Sequence, residues 1–394
     1  MAIYLDHAAT TPLRPEALEA MLPYFGGAFG NPSSAHSFGR VARNALDEAH
    51  EQLATALGGS AREIVITSGG TEANNLAIKG AAWAGKARGH RLVTSAIEHH
   101  AVGHAMRHLE KFGFEVVEVP VDRLGQVDPE RLEAALDDHT TLVSVMLANN
   151  EVGSIQPIRA IADRVRARRG ILFHVDAVQA APTLDVDVAS LGADLLTISA
   201  HKFEGPKGVG ALWVRRGTQL LAQVHGGSQE RHRRAGTENV AGAVGMAVAY
   251  ECACADRTAT AMRLGALRSR LAAACLAIDG VELTGHPTER LPGLLSLLVR
   301  GADGVAITVA LDMDGIAAST GSACATGSPD PSHVLVAMGY TEAEAHGALR
   351  LSLGRATTDA EVSEACLVVP RVIAAVRDGS AAQAADPLGA WLGA

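Results

Sequence analysis

The sequence predicts an α/β fold: a large domain built on a seven-stranded, mainly parallel sheet, followed by a smaller α+β domain. Three observations carry this. Short β-rich runs alternate with helix-length segments through the first half of the chain. Most of the runs are continuously apolar, as strands covered on both faces are, rather than alternating. Beyond about residue 215 the alternation gives way to a long helical stretch and two isolated strand-like runs.

The strand runs, in order, are REIVIT (62–67), RLVTSA (91–96), EVVEVPV (115–121), TLVSVMLA (141–148), ILFHVDA (171–177), LLTISA (195–200) and VGALWV (209–214). Segments such as TEANNLAIKGAAWAGKA and IRAIADRVRARRG lie between them and read as helices. Only HKFEGPKG joins the last two runs, too short for a parallel crossover, so VGALWV is expected to run antiparallel. A helix is expected over about 239–277, then LLSLLVR and LRLSLGR as strands of the smaller domain. The stretch 318–332, ASTGSACATGSPDPS, is rich in Gly, Ser, Ala and Pro and reads as a mobile loop. The domains are expected at 15–258 for the large one, and at 1–14 with 259–394 for the small one that carries this loop.

At 394 residues the chain is long enough for two domains with sizeable cores. Its net charge of −9 argues against a nucleic-acid partner and against an anionic membrane surface. No apolar run reaches membrane-spanning length, and MAIYLDHAATTP lacks the basic and apolar regions of a secretion signal. The cysteines, at 252, 254, 275, 324 and 366, are odd in number and lack the spacing of a disulfide framework. A reducing, cytoplasmic setting is expected.

In open α/β sheets ligands bind at the carboxyl ends of the strands, and polar groups collect at those positions here. REIVIT is followed by Ser68-Gly69-Gly70-Thr71-Glu72 opening a helix. Glycines there let backbone approach, and the free N–H groups of a helix start suit a phosphate; an ordinary glycine turn is the plainer reading. Asp176 ends ILFHVDA, with Gln179 three residues on, and a buried acid in that place needs a cation or hydrogen-bond donors. His201 and Lys202 follow Ser199 at the next strand end. A phosphate cradle, an acid and a lysine are the requirements of pyridoxal 5'-phosphate (PLP), whose aldehyde takes a lysine and whose pyridine nitrogen takes a carboxylate. Lys202 is therefore read as the Schiff-base lysine.

Ten ordered segments then carry a resemblance: YLDHAATTP, GNPSSAHSFGR, ITSGGTEANNLAIKG, IEHHAV, NNEVGSIQPI, HVDAVQA, SAHKFEGPKGVG, GGSQERHRRAGTENV, TGSACATGSPDPSHVLVAMG and LRLSLGR. Over about residues 3–357 the chain resembles the cysteine desulfurases of the NifS/IscS type, the group with a long cysteine loop, within the class V aminotransferases. The resemblance implies PLP fold type I and conversion of L-cysteine to L-alanine, with sulfur carried as a persulfide on Cys324. It also implies a homodimer and a sulfur-acceptor protein, such as an iron–sulfur cluster scaffold.

By that resemblance Lys202 holds the aldehyde, Asp176 the pyridine nitrogen and Gln179 the phenolic oxygen. His99 stacks on the ring and moves protons. Gly70, Thr71, Ser199 and His201 bind the phosphate, Thr237 reaches the phosphate of the other subunit, and Asn150 lies beside the cofactor. Arg350 takes the substrate carboxylate, a task suited to a guanidinium fork, with Asn31 assisting. Cys324 is the nucleophile, which must be accessible and partly ionised. Phe203-Glu204 and Ala348 depart from the commonest family pattern without replacing a group that bonds cofactor or substrate.

Two other functions fit part of the pattern: a selenocysteine lyase or β-lyase of the same fold, and a non-enzymatic PLP-binding sulfur carrier. Two further features have plainer readings. His100, His104 and His108 share one helix face, but no acid or cysteine beside them completes a metal site, and none is expected. The basic run Arg231 to Arg234 is read as part of the site and the subunit contact rather than a nucleic-acid patch.

Overall fold

The computed structural model describes residues 2–321 and 331–379. Seven strands form the main sheet: β2 (Ile64–Thr67), β3 (Arg91–Ser95), β4 (Glu115–Val119), β5 (Thr140–Met146), β6 (Leu172–Asp176), β7 (Leu195–Ser199) and β8 (Gly210–Val214). Their order across the sheet is β2-β8-β7-β6-β5-β3-β4. Only β8 runs antiparallel to its neighbours, β2 and β7, as the short connection from β7 requires. The central strands β5, β6 and β7 are almost wholly buried, which is why their sequences carry no polar alternation. A polar residue on such a strand must find partners inside the sheet. His174 does so, bonding Ser144 Oγ at 2.8 Å and Thr197 Oγ1 at 3.0 Å. Burial lowers its pKa to about 4, so it stays neutral.

Helices cover both faces. After α1 (Pro15–Met21) and α2 (Ser37–Ala56) come α3 (Gly70–Gly85), which follows β2, and α4 (His100–Glu110), which follows β3. One apolar core lies between α2 and the sheet and includes Leu46, Leu53, Phe173 and Tyr250. Another, against α3 and α4, includes Leu76, Ile78, Met106 and Leu109.

The second sheet is small: β9 (Val281–Leu283), β10 (Leu294–Val299) and β12 (Ala348–Ser352) pair antiparallel with β10 central. The N-terminal β1 (Ile3–Tyr4) pairs in parallel with β11 (Ile316–Ala317), and Asp6 bridges to Ser352. Ile3 and Leu5 thereby join the core of this second unit, with Leu267, Leu271, Leu349 and Val369. The helix Val240–Leu276 is continuous through residue 258, where the domain boundary is expected. Its Ala249 and Tyr250 pack in the first core and its Leu264 and Leu267 in the second. Among the described residues no helix is long and apolar enough to cross a membrane.

Because β2, β3, β5, β6 and β7 all point the same way, their carboxyl ends meet at one edge of the sheet. The segments that leave these ends carry Gly70, His99, Asn150, Asp176 and Lys202. The second unit brings Arg350, on β12, to the same place.

Candidate active site

A cleft of about 390 Å³ opens at that edge. It is lined by Gly70, Thr71, His99, Asn150, Asp176, Gln179, Ser199, His201, Lys202 and Arg350. Ten of the expected site residues are thus brought together. Asn31 and Thr237 are exposed and do not line the cleft of their own chain. Asn31 instead caps its own turn, its Oδ1 accepting from Ser33 N–H at 2.8 Å. Cys324 lies outside the described residues; the described chain stops at Gly321 and resumes at Pro331. Gly321 and His333, on either side, both line the cleft.

The floor is Asp176, only 5% exposed. Its Oδ2 accepts from Asn74 Nδ2 at 2.7 Å and its Oδ1 from Val178 N–H at 3.0 Å. Two donors orient the carboxylate, and a ring N–H⁺ in the cleft would complete its pairing. At one side α3 begins with Gly69 and Gly70. A Cβ on Gly70 would stand 3.0 Å from Val178 Cγ2 and 3.3 Å from Ser199 Cβ, so a side chain there would crowd the space. With a helix start, a bare backbone and the Ser199 hydroxyl, this corner suits a phosphate. His201 joins it with Nδ1 on Thr10 Oγ1 at 3.1 Å. Burial, with the charges of Lys202 and Lys207, holds His201 at about 4, so it is neutral at pH 7.

Lys202 reaches across from the turn after β7. Its Nζ donates to Ala8 O at 2.5 Å and to Ala9 O at 2.9 Å. Gln179 Nε2 donates to the same Ala8 carbonyl at 2.8 Å. On the opposite side His99 caps α4, its Nδ1 accepting from Ala101 N–H at 3.1 Å. That bond fixes the neutral tautomer with its proton on Nε2. A cradle that a Cβ would crowd, a buried oriented carboxylate, a lysine and an imidazole within one cleft fit PLP in every part.

Arg350 is 2% exposed and forms the far wall. Its Nη1 donates to Asn150 O at 2.9 Å and Gly321 O at 3.0 Å, and its Nη2 donates to Asp6 Oδ1 at 2.8 Å. Nε is buried with no partner among the described residues. The guanidinium is therefore held by three oxygens at the wall of the cleft.

Several supporting residues escaped the sequence. Asn74 sits in the quoted ITSGGTEANN segment, but nothing local marks it as the partner of an acid 102 residues away. Arg234 forms a two-point pair with Glu72 in the first turn of α3, at 2.8 and 3.3 Å, so the basic run braces the phosphate corner. Glu98, beside His99, is buried with no cation paired to it among the described residues, and burial pushes its pKa to about 8. His100 stacks on His104 at 4.8 Å and meets His333 in a tilted arrangement at 4.7 Å. Among the described residues no three His, Cys, Asp or Glu side chains gather to hold a metal.

Known proteins resemble the chain over almost its whole length. The aminotransferase class-V family model matches residues 3–364. The chain is 47% identical to cysteine desulfurase IscS of Methanosarcina thermophila, over 96% of this chain and 94% of that protein. A solved NifS-like protein superposes with a TM-score of 0.90 at 37% identity, covering 95% of this chain and all of that one. A structure described as SspA in complex with cysteine gives a TM-score of 0.80 at 34% identity, over 90% of this chain and all of that one.

Proposed function

The chain belongs to the class-V aminotransferases and, within them, to the PLP-dependent cysteine desulfurases; from that premise we propose how its residues divide the conversion of L-cysteine to L-alanine. The observation that carries the reading is the single cleft in which Lys202, Asp176, His99 and the Gly70 cradle face Arg350.

When bound, PLP supplies an aldehyde that condenses with amines and a protonated ring that withdraws electrons from the substrate's α-carbon. Asp176 keeps the ring nitrogen protonated, helped by Asn74 and Val178 N–H. Gly70, Thr71, Ser199 and His201 would hold the phosphate, with Asn150 lining the same cleft. His99 would cover the ring, and the spare amide hydrogen of Gln179 would serve the phenolic oxygen. Lys202 Nζ would hold the aldehyde and, once free of it, would take the proton from the substrate α-carbon. The guanidinium of Arg350, which lines the cleft, donates to the substrate carboxylate.

Cys324 takes the sulfur. Its thiolate attacks the substrate sulfur; the carbon–sulfur bond breaks as the sulfur–sulfur bond forms. The carbon that loses sulfur keeps the electron pair and gains a proton. L-Cysteine plus the Cys324 thiol thus yields L-alanine plus a Cys324 persulfide, with atoms and electrons balanced. That Gly321 and His333 both line the cleft supports this role for the residue between them.

The persulfide then passes to an acceptor protein, for which an iron–sulfur cluster scaffold is our proposal. A homodimer completes the site. Asn31 and Thr237 lie on connected turns: Arg43 bonds Pro32 O at 3.2 Å and Glu238 at 2.9 Å. Phe25, Phe29 and Phe38 are exposed nearby in sequence, an apolar face suited to a second copy that would receive Thr237 at its phosphate. The unpaired described cysteines suit the cytoplasm. The test is to supply purified holoenzyme with L-cysteine and reductant, and to assay alanine and sulfide. Equal yields from wild type, with alanine formation falling to a small fraction in Cys324→Ala, are expected. Undiminished alanine from Cys324→Ala would replace this reading with a β-lyase.

A further inference from the structure

Lys202 and Arg350 belong to different units of the fold, yet must act on one small substrate. What holds them in register is the N-terminal segment 6–14, which runs between them. On the Arg350 side it is tied by Asp6 to the guanidinium, by His7 N–H to Ser352 O at 3.2 Å, and by Ala8 N–H to Ser352 Oγ at 2.8 Å. On the lysine side Thr11 bonds His201 O through both N–H and Oγ1, at 3.0 and 2.8 Å.

The far end of this segment meets Glu204, two residues after Lys202. Glu204 has φ +62°, the left-handed region that non-glycine residues rarely occupy, and it is 8% exposed. Such a conformation persists where its surroundings over-determine it, and here they do. Its N–H donates to Thr11 Oγ1 at 2.9 Å and its carbonyl accepts Arg14 N–H at 2.8 Å. Its Oε2 takes Arg14 Nε at 3.2 Å and Arg355 Nε at 2.6 Å. Arg14, 3% exposed, also pairs with Asp256 at 2.8 Å. Arg355 lies five residues beyond Arg350, just past the end of β12. One carboxylate therefore joins the lysine-bearing turn, the N-terminal segment and the strand of the carboxylate-binding arginine.

We propose that Glu204 is a positioning residue: through Arg14 and Arg355 it fixes the turn that carries Lys202 against the strand that carries Arg350. Its place is one where the sequence departs from the common family pattern, and the role rests on the desulfurase reading above. The linkage runs through charged side chains rather than apolar packing, so it can be cut without emptying the core.

The experiment uses the holoenzyme of wild type, Glu204→Gln, Arg355→Gln and the double variant. For L-cysteine, each single change is expected to lower kcat about tenfold with KM within about twofold. The double variant should match the worse single, because both changes cut one linkage. The pH midpoint of the bound cofactor's visible absorbance, which reports the Lys202 surroundings without turnover, should move by about half a unit, roughly threefold in the equilibrium. Lower melting temperatures with kcat and the absorbance midpoint unchanged would overturn the proposal, as would single effects that multiply in the double. Arg355→Gln leaves the Arg14–Glu204 pair in place, so it decides the matter alone if Glu204→Gln does not fold. A wild-type protein that makes no alanine would instead remove the desulfurase reading, while the absorbance comparison still tests Glu204.

Discussion

Glu98→Gln isolates the energetics of a buried acid next in sequence to His99 of the cleft. Glu98 lies in the turn between β3 and α4, one residue before His99, and is 4% exposed. Its Oε1 accepts from Ser95 Oγ–H and from Met146 N–H, and its Oε2 is enclosed with no partner among the described residues. The titratable groups on the elements around it are Asp176 on β6, His99 and His100 on its own segment, and His333, whose Nε2 meets the Glu98 carbonyl. Among the described residues no lysine or arginine pairs with it. Burial, then the charge of Asp176, raises its pKa from 4.5 to about 8. The folded protein therefore binds more protons than the unfolded chain between these two values, and unfolding becomes easier as pH rises through that window. The full rise corresponds to on the order of 5 kcal/mol, reached above about pH 8. Gln removes the titration but places an amide without an acceptor, at a pH-independent cost of about 1–3 kcal/mol. Denaturant unfolding of both apo proteins at pH 5.5, 6.5, 7.5 and 8.5 gives the comparison. The stability of Glu98→Gln relative to wild type should increase by about 1.4 kcal/mol per pH unit up to about pH 8 and then level off. Parallel profiles for the two proteins would refute the claim that Glu98 is held as a neutral acid.

Two further outcomes follow from the same geometry. Asn74→Ala strips Asp176 of its 2.7 Å donor, so PLP affinity measured by absorbance titration should fall about 10- to 100-fold, the usual worth of a hydrogen bond to a charged group; retention equal to wild type would contradict it. Thr237→Ala should weaken PLP retention while melting of the apo protein stays unchanged, and sedimentation should show a dimer. A monomeric, fully active wild type would contradict the partner role of this exposed residue.

The parallel sheet was readable because burial on both faces leaves continuous apolar runs, and β8 because its connection is too short to cross over. Lys202, Asp176 and Gly70 were readable because strand ends in such a sheet converge, so polar residues there share one cleft. What sets their geometry was not. The Arg350–Asp6 and Asn74–Asp176 bonds join positions 344 and 102 residues apart, and no local period or spacing encodes a pair of that kind. Glu204 is visible in the sequence as a departure from the family pattern, but its consequence appears only once Arg14 and Arg355 meet around it. The histidine stripe was correctly placed on one face of α4, but the ring that joins it is His333, from a different part of the chain.

Sulfur transfer to Cys324 is the step that separates a desulfurase from other PLP enzymes of this fold, and intact-protein mass spectrometry reads it directly. Purified holoenzyme is mixed with L-cysteine without reductant, quenched, and compared with Cys324→Ala treated alike. Wild type should gain one sulfur atom, removable by reductant and mapping to the peptide that contains Cys324, in step with alanine formation; the variant should gain none. Alanine formed with no added sulfur on wild type, or the same added mass on Cys324→Ala, would contradict the account.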